Sequence, residues 1–508
     1  MVFILLLTVI VTLIAYLLIS VVKKPAHFPP GPFWYPIVGT VPVLKKLSKA
    51  LGGQHLALIK LSQTYKSNVV GLKLGKENVI AVFSYPTVKT VLTGEEYEGR
   101  PDNFFLKLRC MGTRRGITIT DGALWKTQRS FVTTHLRNLG FGKKPMERMV
   151  REEINDLLAI LKENGNKEIR IGSLLAVSVL NVLWALLGGC RLDRQDARLS
   201  SLLDILGKRS RAFDMAGGTL NQFPWMRFVS PEGSGYNLIM RLNAELREML
   251  METIEQHYAK WEEDRHDDLI YAFVSEMKKA NEANTTFTED QLIMICLDIF
   301  IAGSQTTSHT LDFAFLMMIL YPEVQEKVRK CLEATFGDSE INYSDRKKVP
   351  YVEAVLCEVE RYCHVTPICG PRRVLRDTKL EDYVIPKNTT VLISLYSVHH
   401  DKTYWKDPEK FRPERFLDSD GKLVYHDRFI PFGLGRRRCL GDQLARSCIF
   451  TFFAEIIKNY RITEYPGSVK PTGVPIPGIT LTPEIYRAKF IFKINTVIFI
   501  RILHVFLS

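Results

Sequence analysis

The stretch Phe432-Gly433-Leu434-Gly435-Arg436-Arg437-Arg438-Cys439-Leu440-Gly441 sets one cysteine in a glycine-rich, strongly basic loop that leads into an apolar segment. The thiolate, not the thiol, ligates a metal, and nearby guanidinium charge and backbone N–H groups favour that form. Gly435 and Gly441 carry no Cβ, so the backbone there can approach a flat cofactor closely. Taken alone, Cys439 reads equally as a small buried residue after a turn.

A second segment adds to it. The run from Leu292 to Ser308 has the composition of a long apolar helix broken by a small, hydroxyl-rich patch, Ala302-Gly303-Ser304-Gln305-Thr306-Thr307. Insertion into a bilayer is disfavoured, because Asp298, Gln305 and the hydroxyls would each cost free energy in lipid. Ala302 and Gly303 leave room beside a cofactor, and Thr306 can hydrogen-bond a diatomic ligand or water in a locally opened turn. Trp125 and Arg129, four residues apart, put an indole N–H and a guanidinium on one helix face as donors to a carboxylate. Glu358 and Arg361, three apart, can pair across one helical turn.

These motifs resemble those of the haem-thiolate monooxygenases, the cytochrome P450 family. The loop matches Phe-x-x-Gly-x-Arg-x-Cys-x-Gly, and the hydroxyl patch matches the oxygen-activation segment except that Gln305 stands at its acidic position. The resemblance implies haem b with Cys439 as iron ligand, and O₂ as co-substrate. It implies haem contacts from Phe432, Gly435, Gly441, Ala302 and Gly303, and propionate donors at Trp125, Arg129, Arg373 and Arg437. Thr306, Thr307 and Gln305 become the catalytic set, with proton delivery resting on the hydroxyls because an amide exchanges no proton. Glu358, Arg361 and Arg415, the last from Phe411-Arg412-Pro413-Glu414-Arg415-Phe416, correspond to a buried network that holds the cysteine loop. The Phe33-Trp34-Tyr35-Pro36 hinge and the Ala-Gly-Ser-Gln-Thr-Thr segment most resemble insect members of the clan containing juvenile-hormone epoxidases.

Elements must carry these groups. Asn68–Gly75 and Val79–Phe83 read as two early strands, Tyr383–Pro386 and Thr390–Ile393 as late ones, and 145–279 as helical by the spacing of its apolar residues. The expectation is a mainly α fold with a small β lobe assembled from early and late segments, a single large discontinuous domain behind an N-terminal transmembrane helix. Val2–Val22 is almost wholly apolar and ends at Lys23-Lys24, long enough to span a bilayer with the basic pair on the cytosolic side. The expected organisation is an anchor over 1–22, a basic, Pro-rich hinge over 23–36, a catalytic domain over 37–490, and an apolar C-terminal tail over 491–508. Nine cysteines show no paired spacing, which fits a reducing cytosolic face.

The net charge of +13 comes without any nucleic-acid-binding motif, so an acidic protein partner or an anionic membrane fits better. By resemblance the partner is a membrane-bound NADPH-dependent flavoprotein reductase of the endoplasmic reticulum, docking on Lys126, Lys143, Lys144, Arg436, Arg438 and Arg446, with cytochrome b5 as a further electron donor. The substrate expected is a lipophilic isoprenoid, steroid, fatty acid or xenobiotic, hydroxylated or epoxidised. Its pocket is expected from Phe104, Phe105, Leu108, Phe213, Phe223, Trp225, Val365, Ile368 and Ile479. Two rivals stand beside this reading: a haem-thiolate isomerase or dehydratase acting on a peroxide without reductase, which Gln305 favours, and a non-catalytic haem-binding sensor.

Overall fold

Val69–Leu74 (β1) and Glu77–Val82 (β2) form an antiparallel hairpin. Its turn uses Gly75 at φ +59°, a left-handed conformation that glycine adopts without a Cβ penalty. Six further strands follow much later: Ile368–Arg373 (β3), Thr378–Leu380 (β4), Tyr383–Ile385 (β5), Thr390–Ser394 (β6), Tyr460–Glu464 (β7) and Ala488–Phe492 (β8). β6 lies parallel to β2 and β3 lies antiparallel to β6, giving the order β1-β2-β6-β3 in one sheet. Segments some three hundred residues apart thus share one sheet, as the early and late strand patterns imply. β4–β5 and β7–β8 are separate two-stranded ribbons.

This computed structural model describes residues 22–139, 144–164, 166–212, 220, 223–262, 267–279 and 285–492. The expected anchor up to Val21, Lys143, Phe213 and the tail beyond Phe492 lie outside them. Ile491 and Phe492 need correction: they pair with Arg461 and Tyr460 in the β7–β8 ribbon, so the ordered fold runs past the expected boundary at 490. The apolar residues of Ala488–Phe492 run on into the apolar-rich 493–508, so the end of the strand carries no mark in the sequence.

Between the sheet segments the chain is helical. Glu289–Leu320 is the longest helix described, capped by Thr288, whose side chain accepts from the Gln291 amide. It is apolar around most of its circumference and accordingly buried, with Ile171–Gly188 and Asp442–Asn459 packed against it. Ile171–Gly188 is the one helix among the described residues long and apolar enough to cross a membrane, yet most of it is buried in this core. The fold is one large, mainly helical domain with a small β lobe, as expected.

Candidate active site

The cysteine loop is two tight turns. The Gly433 amide donates to the Ile430 carbonyl at 3.0 Å, that of Arg438 to Gly435 at 3.2 Å, and that of Cys439 back to Phe432 at 2.9 Å. Gly435 sits at φ +73°, and a Cβ there would lie 2.3 Å from the Leu92 carbonyl oxygen. Glycine at 435 is therefore already demanded by the close approach of the Leu92 backbone. A Cβ at Gly441 would meet open space, and this glycine lines the slot into which Cys439 faces. Burial pushes the Cys439 thiol up, outweighing the Gly441 amide and the Arg129 charge that favour the anion. The surrounding charge alone does not make the thiolate; coordination to a metal ion deprotonates a thiol outright.

The slot lies between this loop and the middle of the Glu289–Leu320 helix, where Ala302, Gly303, Thr306 and Thr307 form a wall. The Thr306 hydroxyl donates to the Ala302 carbonyl at 2.6 Å, a back-bond that loosens the helix at its small-residue patch. Gln305 does not face the slot. With Ser304 it lines an adjoining cavity walled by Phe105, Leu106, Leu206, Ile301, Leu392 and Ile479. Asp298, fully buried one turn earlier, accepts from the Ile117 and Thr118 amides at 2.8 Å each and ties that loop to the helix.

At one end of the slot cations gather, and none of Arg100, Arg372 and Arg437 has a carboxylate at ion-pair distance among the described residues. Arg437 lies 3.7 Å from the Trp125 ring centre, and burial together with Arg100 and Arg372 pushes its pKa down to about 8. Arg100 is pushed down to about 10 by burial and then by Arg372. Nε and Nη2 of Arg437, Nε of Arg100, and Nε and Nη1 of Arg372 are buried with no hydrogen-bond partner among the described residues. Like charges held together in a dry site call for a ligand carrying negative charge. Arg129 lines the slot and donates to the Arg438 carbonyl at 2.8 Å. Arg373 faces elsewhere: it pairs with Asp121 at 2.9 Å and donates to Arg100 O and Asn388. Its neighbour Arg372 takes the inward place, so the expectation moves by one residue. Arg100 carried no motif and was not expected.

The Glu358 network is assembled as expected. Glu358 accepts from Arg361 Nε at 2.7 Å and Nη2 at 2.8 Å, from Arg415 Nε at 3.0 Å, and from the Arg412 amide at 2.8 Å. Arg361 reaches on to the carbonyls of His399 and Pro408 at 2.9 Å each. These bonds join the Pro350–Tyr362 helix to the segment before the cysteine loop. Phe432 lines the slot, with Arg446 at 4.7 Å over its ring.

A thiol-bearing loop of this sequence, a continuous helix presenting small and hydroxyl-bearing residues to it, and a nest of arginines with buried N–H groups that lack partners among the described residues coincide with one known arrangement. The cytochrome P450 family profile matches residues 29–490. The chain belongs to the cytochrome P450 family. It is 47% identical to probable cytochrome P450 305a1 of Drosophila melanogaster, over 95% of this chain and 98% of that protein. It is 34% identical to farnesoate epoxidase of Bombyx mori, over 91% and 93%. To cytochrome P450 2J5 of Mus musculus it is 32% identical, over 94% and 95%. The chain is thus a haem monooxygenase that uses O₂, and the resemblance to insect members is borne out. The residues fit the group: the buried guanidinium N–H groups that lack acceptors among the described residues would hold the two propionates of haem, and Cys439, which faces the slot, would ligate its iron.

Among the expected pocket residues, Phe105 and Ile479 line the cavity beside Gln305. Phe104 and Leu108 pack behind it with Leu220 and Ile239. Val365 and Ile368 are buried in the protein core instead, and Pro371 and Leu392 take the lining place. Phe223 and Trp225 lie on a turn away from the cavity, Trp225 being 55% exposed. On the expected docking face Lys126 and Lys144 are exposed. Arg436 pairs with Glu95 at 2.9 Å, and Arg438 lies 3.6 Å from Asp442. Arg446 is turned inward, 3.8 Å from Glu360, and is set aside as a docking residue.

Proposed function

We propose that this monooxygenase works at the endoplasmic reticulum membrane, draws electrons from NADPH through a flavoprotein reductase, and hydroxylates or epoxidises a lipophilic small molecule. The observation that carries the reading is the adjacency of two spaces along one helix. Ala302, Gly303 and Thr306 face the slot with Cys439, while Ile301 and Gln305, their immediate neighbours, face a largely apolar cavity. When bound through Cys439, haem supplies the activation of O₂, thiolate donation favouring O–O cleavage. The protein's own part is positional. Arg437, Arg100 and Arg372 hold the propionates, with Trp125 beneath Arg437, and the Glu358–Arg361–Arg415 network holds the segment before the cysteine loop. Thr306 and Thr307 present hydroxyls to the slot for proton transfer, and the cavity keeps the substrate's reacting carbon close while excluding water.

Support for the membrane comes from the apolar run Val2–Val22 and from two exposed groups: Phe33 and Tyr35 in the hinge with Ile37 just after it, and Trp225, Phe228 and Val229 at the short helix Met226–Val229. Such aromatic and aliphatic side chains suit a lipid interface. Support for a reductase comes from the exposed Lys126, Lys144, Arg436 and Arg438, which would speed and orient an encounter with an acidic partner. The epoxidase name of the silkworm relative favours an isoprenoid substrate.

The test is reconstitution of the full chain with haem, NADPH and reductase. Cys439→Ala and Cys439→Ser should both lose the thiolate-type Soret band of the reduced, CO-bound protein, since no neighbouring group replaces the thiolate. An unchanged band would remove Cys439 from its role, and rearrangement or dehydration of an organic peroxide itself, with no oxygen transferred to a second molecule and no NADPH or reductase needed, would favour an isomerase or dehydratase.

A further inference from the structure

The cavity beside Gln305 is not purely apolar. Arg109, the last residue of the helix Phe104–Arg109, lines it together with Arg209 of the helix Ala197–Ala212. Arg209 is 2% exposed and has a structural duty: its Nη2 donates to the Arg109 carbonyl and its Nε to Asn243 Oδ1 at 3.2 Å, while Asn243 Nδ2 donates to the Leu108 carbonyl at 3.0 Å. Those bonds pin the end of the Phe104–Arg109 helix and fix where Arg109 starts. The Arg109 guanidinium itself has no carboxylate within ion-pair distance among the described residues. Asp298, whose charge it feels, is held by the Ile117 and Thr118 amides. Glu77, the carboxyl lining this cavity, is satisfied by Asn103 at 2.8 Å and Thr390 at 3.3 Å and also borders a separate polar groove. Two guanidinium groups therefore adjoin a largely apolar space, and the carboxylate whose field reaches Arg109, Asp298, stands beyond ion-pair distance with its own bonds already made to backbone amides.

Resting on the monooxygenase reading above, we propose that the substrate is an amphipathic anion, a hydrocarbon chain ending in a carboxylate that Arg109 binds, with Arg209 beside it adding positive field. A guanidinium offers a carboxylate two parallel N–H donors, and in a site largely shut from water such a pair is far stronger than on the surface. The chain lies along Leu206, Ile301 and Ile479, which brings carbons distant from the carboxylate next to Gln305 and the slot. Oxidation then falls on the chain, away from the acid group. A neutral ester of the same chain fits the apolar wall but gives Arg109 no carboxylate at ion-pair distance, so it binds less well.

The experiment uses the full-length haem-loaded protein and two ligand pairs, dodecanoic acid with methyl dodecanoate and farnesoic acid with methyl farnesoate. Affinity is measured by equilibrium dialysis of labelled ligand, which does not depend on a haem signal. The wild type should bind at least one acid about tenfold or more tightly than its ester, and the better acid tells a straight chain from an isoprenoid one. Arg109→Gln should abolish that preference by weakening the acid while moving the ester little, and Arg109→Lys should retain part of it. The CO-bound Soret band of each variant verifies that it has folded around haem. Equal binding of acid and ester by the wild type, equal loss of both in Arg109→Gln, or binding of neither pair would overturn the proposal. A missing thiolate-type band in the wild type would instead sink the haem reading, while the dialysis still scores the anion.

Discussion

The Arg437 guanidinium lies over the Trp125 indole, 3.7 Å from its centre, and its Nη1 donates to the Thr120 carbonyl at 2.8 Å. The stacking and that one bond fix the plane of the group, leaving Nε and Nη2 without partners among the described residues. A cation held over an aromatic face at a partly desolvated site gains about 0.5–2 kcal/mol, too little to offset burial beside Arg100 and Arg372. The arrangement makes sense when propionates supply the missing charge.

Replacing Arg437 with Leu should therefore relieve like-charge crowding in the haem-free chain yet speed loss of haem from the loaded one. A charge-assisted hydrogen bond contributes about 1.5–3 kcal/mol, so haem transfer to excess apomyoglobin should be roughly tenfold to hundredfold faster. Unchanged transfer would mean that Arg100 and Arg372 carry the propionates without it.

What the sequence revealed of this site was its local part. Phe432 to Gly441 and Ala302 to Thr307 are each read within a few residues, and Trp125 with Arg129 within one helical turn. The arginine nest was not readable in the same way, because Arg100 meets Arg372 only after β3 pairs with β6 and Gly99 bridges to Arg373. Successive residues of a strand face opposite sides, and β3 shifts register between Cys369 and Arg372. Which of two adjacent arginines turns inward is decided by that shift, and Arg372-Arg373 gives no hint of it. The same holds for the cavity: Val365, in the bend before β3, and Ile368, at the start of β3, look like pocket residues by position, but tertiary packing buries them in the core. The strands that no pattern marked, β3 with its Gly-Pro pair, the three-residue β4, β7 and β8, lack the continuous apolar, β-branched runs that exposed β1, β2 and β6.

Glu358 is buried with two guanidinium groups around it, so removing its charge strands both. Glu358→Gln should cost about 3–5 kcal/mol of stability, read as a lower urea midpoint and early conversion of the thiolate-type Soret band. Glu168→Gln, which breaks the exposed Arg487–Glu168 pair at 2.9 Å, should change the midpoint by less than about 1 kcal/mol. Similar effects from both would show that the buried network does not hold the loop.

Asp312, on the Glu289–Leu320 helix, accepts from the Tyr486 hydroxyl at 2.7 Å. Burial pushes its pKa up to about 6, against the lowering effect of that bond. Below about pH 4 the carboxyl is protonated in both folded and unfolded chains. Between about 4 and 6 only the unfolded chain releases its proton, so this group makes stability fall as pH rises, and above about 6 the cost is constant. Asp312→Asn keeps an acceptor for Tyr486 and removes the titration. Relative to wild type it should gain stability from pH 4 to 7, by about 3 kcal/mol at most, in urea midpoints taken across that range. A constant difference would place the Asp312 pKa outside this window.

Thr306 and Gln305 are neighbours on one helix that face different spaces, and that separation sets the last expectation. Thr306 lines the slot with its hydroxyl bonded to Ala302, whereas Gln305 lines the substrate cavity and brings an amide that cannot exchange protons. Proton transfer at the slot then rests on Thr306 and Thr307. Thr306→Ala should keep consuming NADPH in the reconstituted system, with less product and more hydrogen peroxide per NADPH, because the remaining water is no longer held in place. Gln305→Glu puts a carboxylate into the cavity next to the substrate. If an anionic ligand occupies that cavity, the change should weaken its binding through like-charge repulsion while leaving the product-to-NADPH ratio near that of wild type. Measuring the ratio together with ligand affinity separates the two effects. A ratio unaffected by Thr306→Ala would show that this hydroxyl does not govern proton delivery.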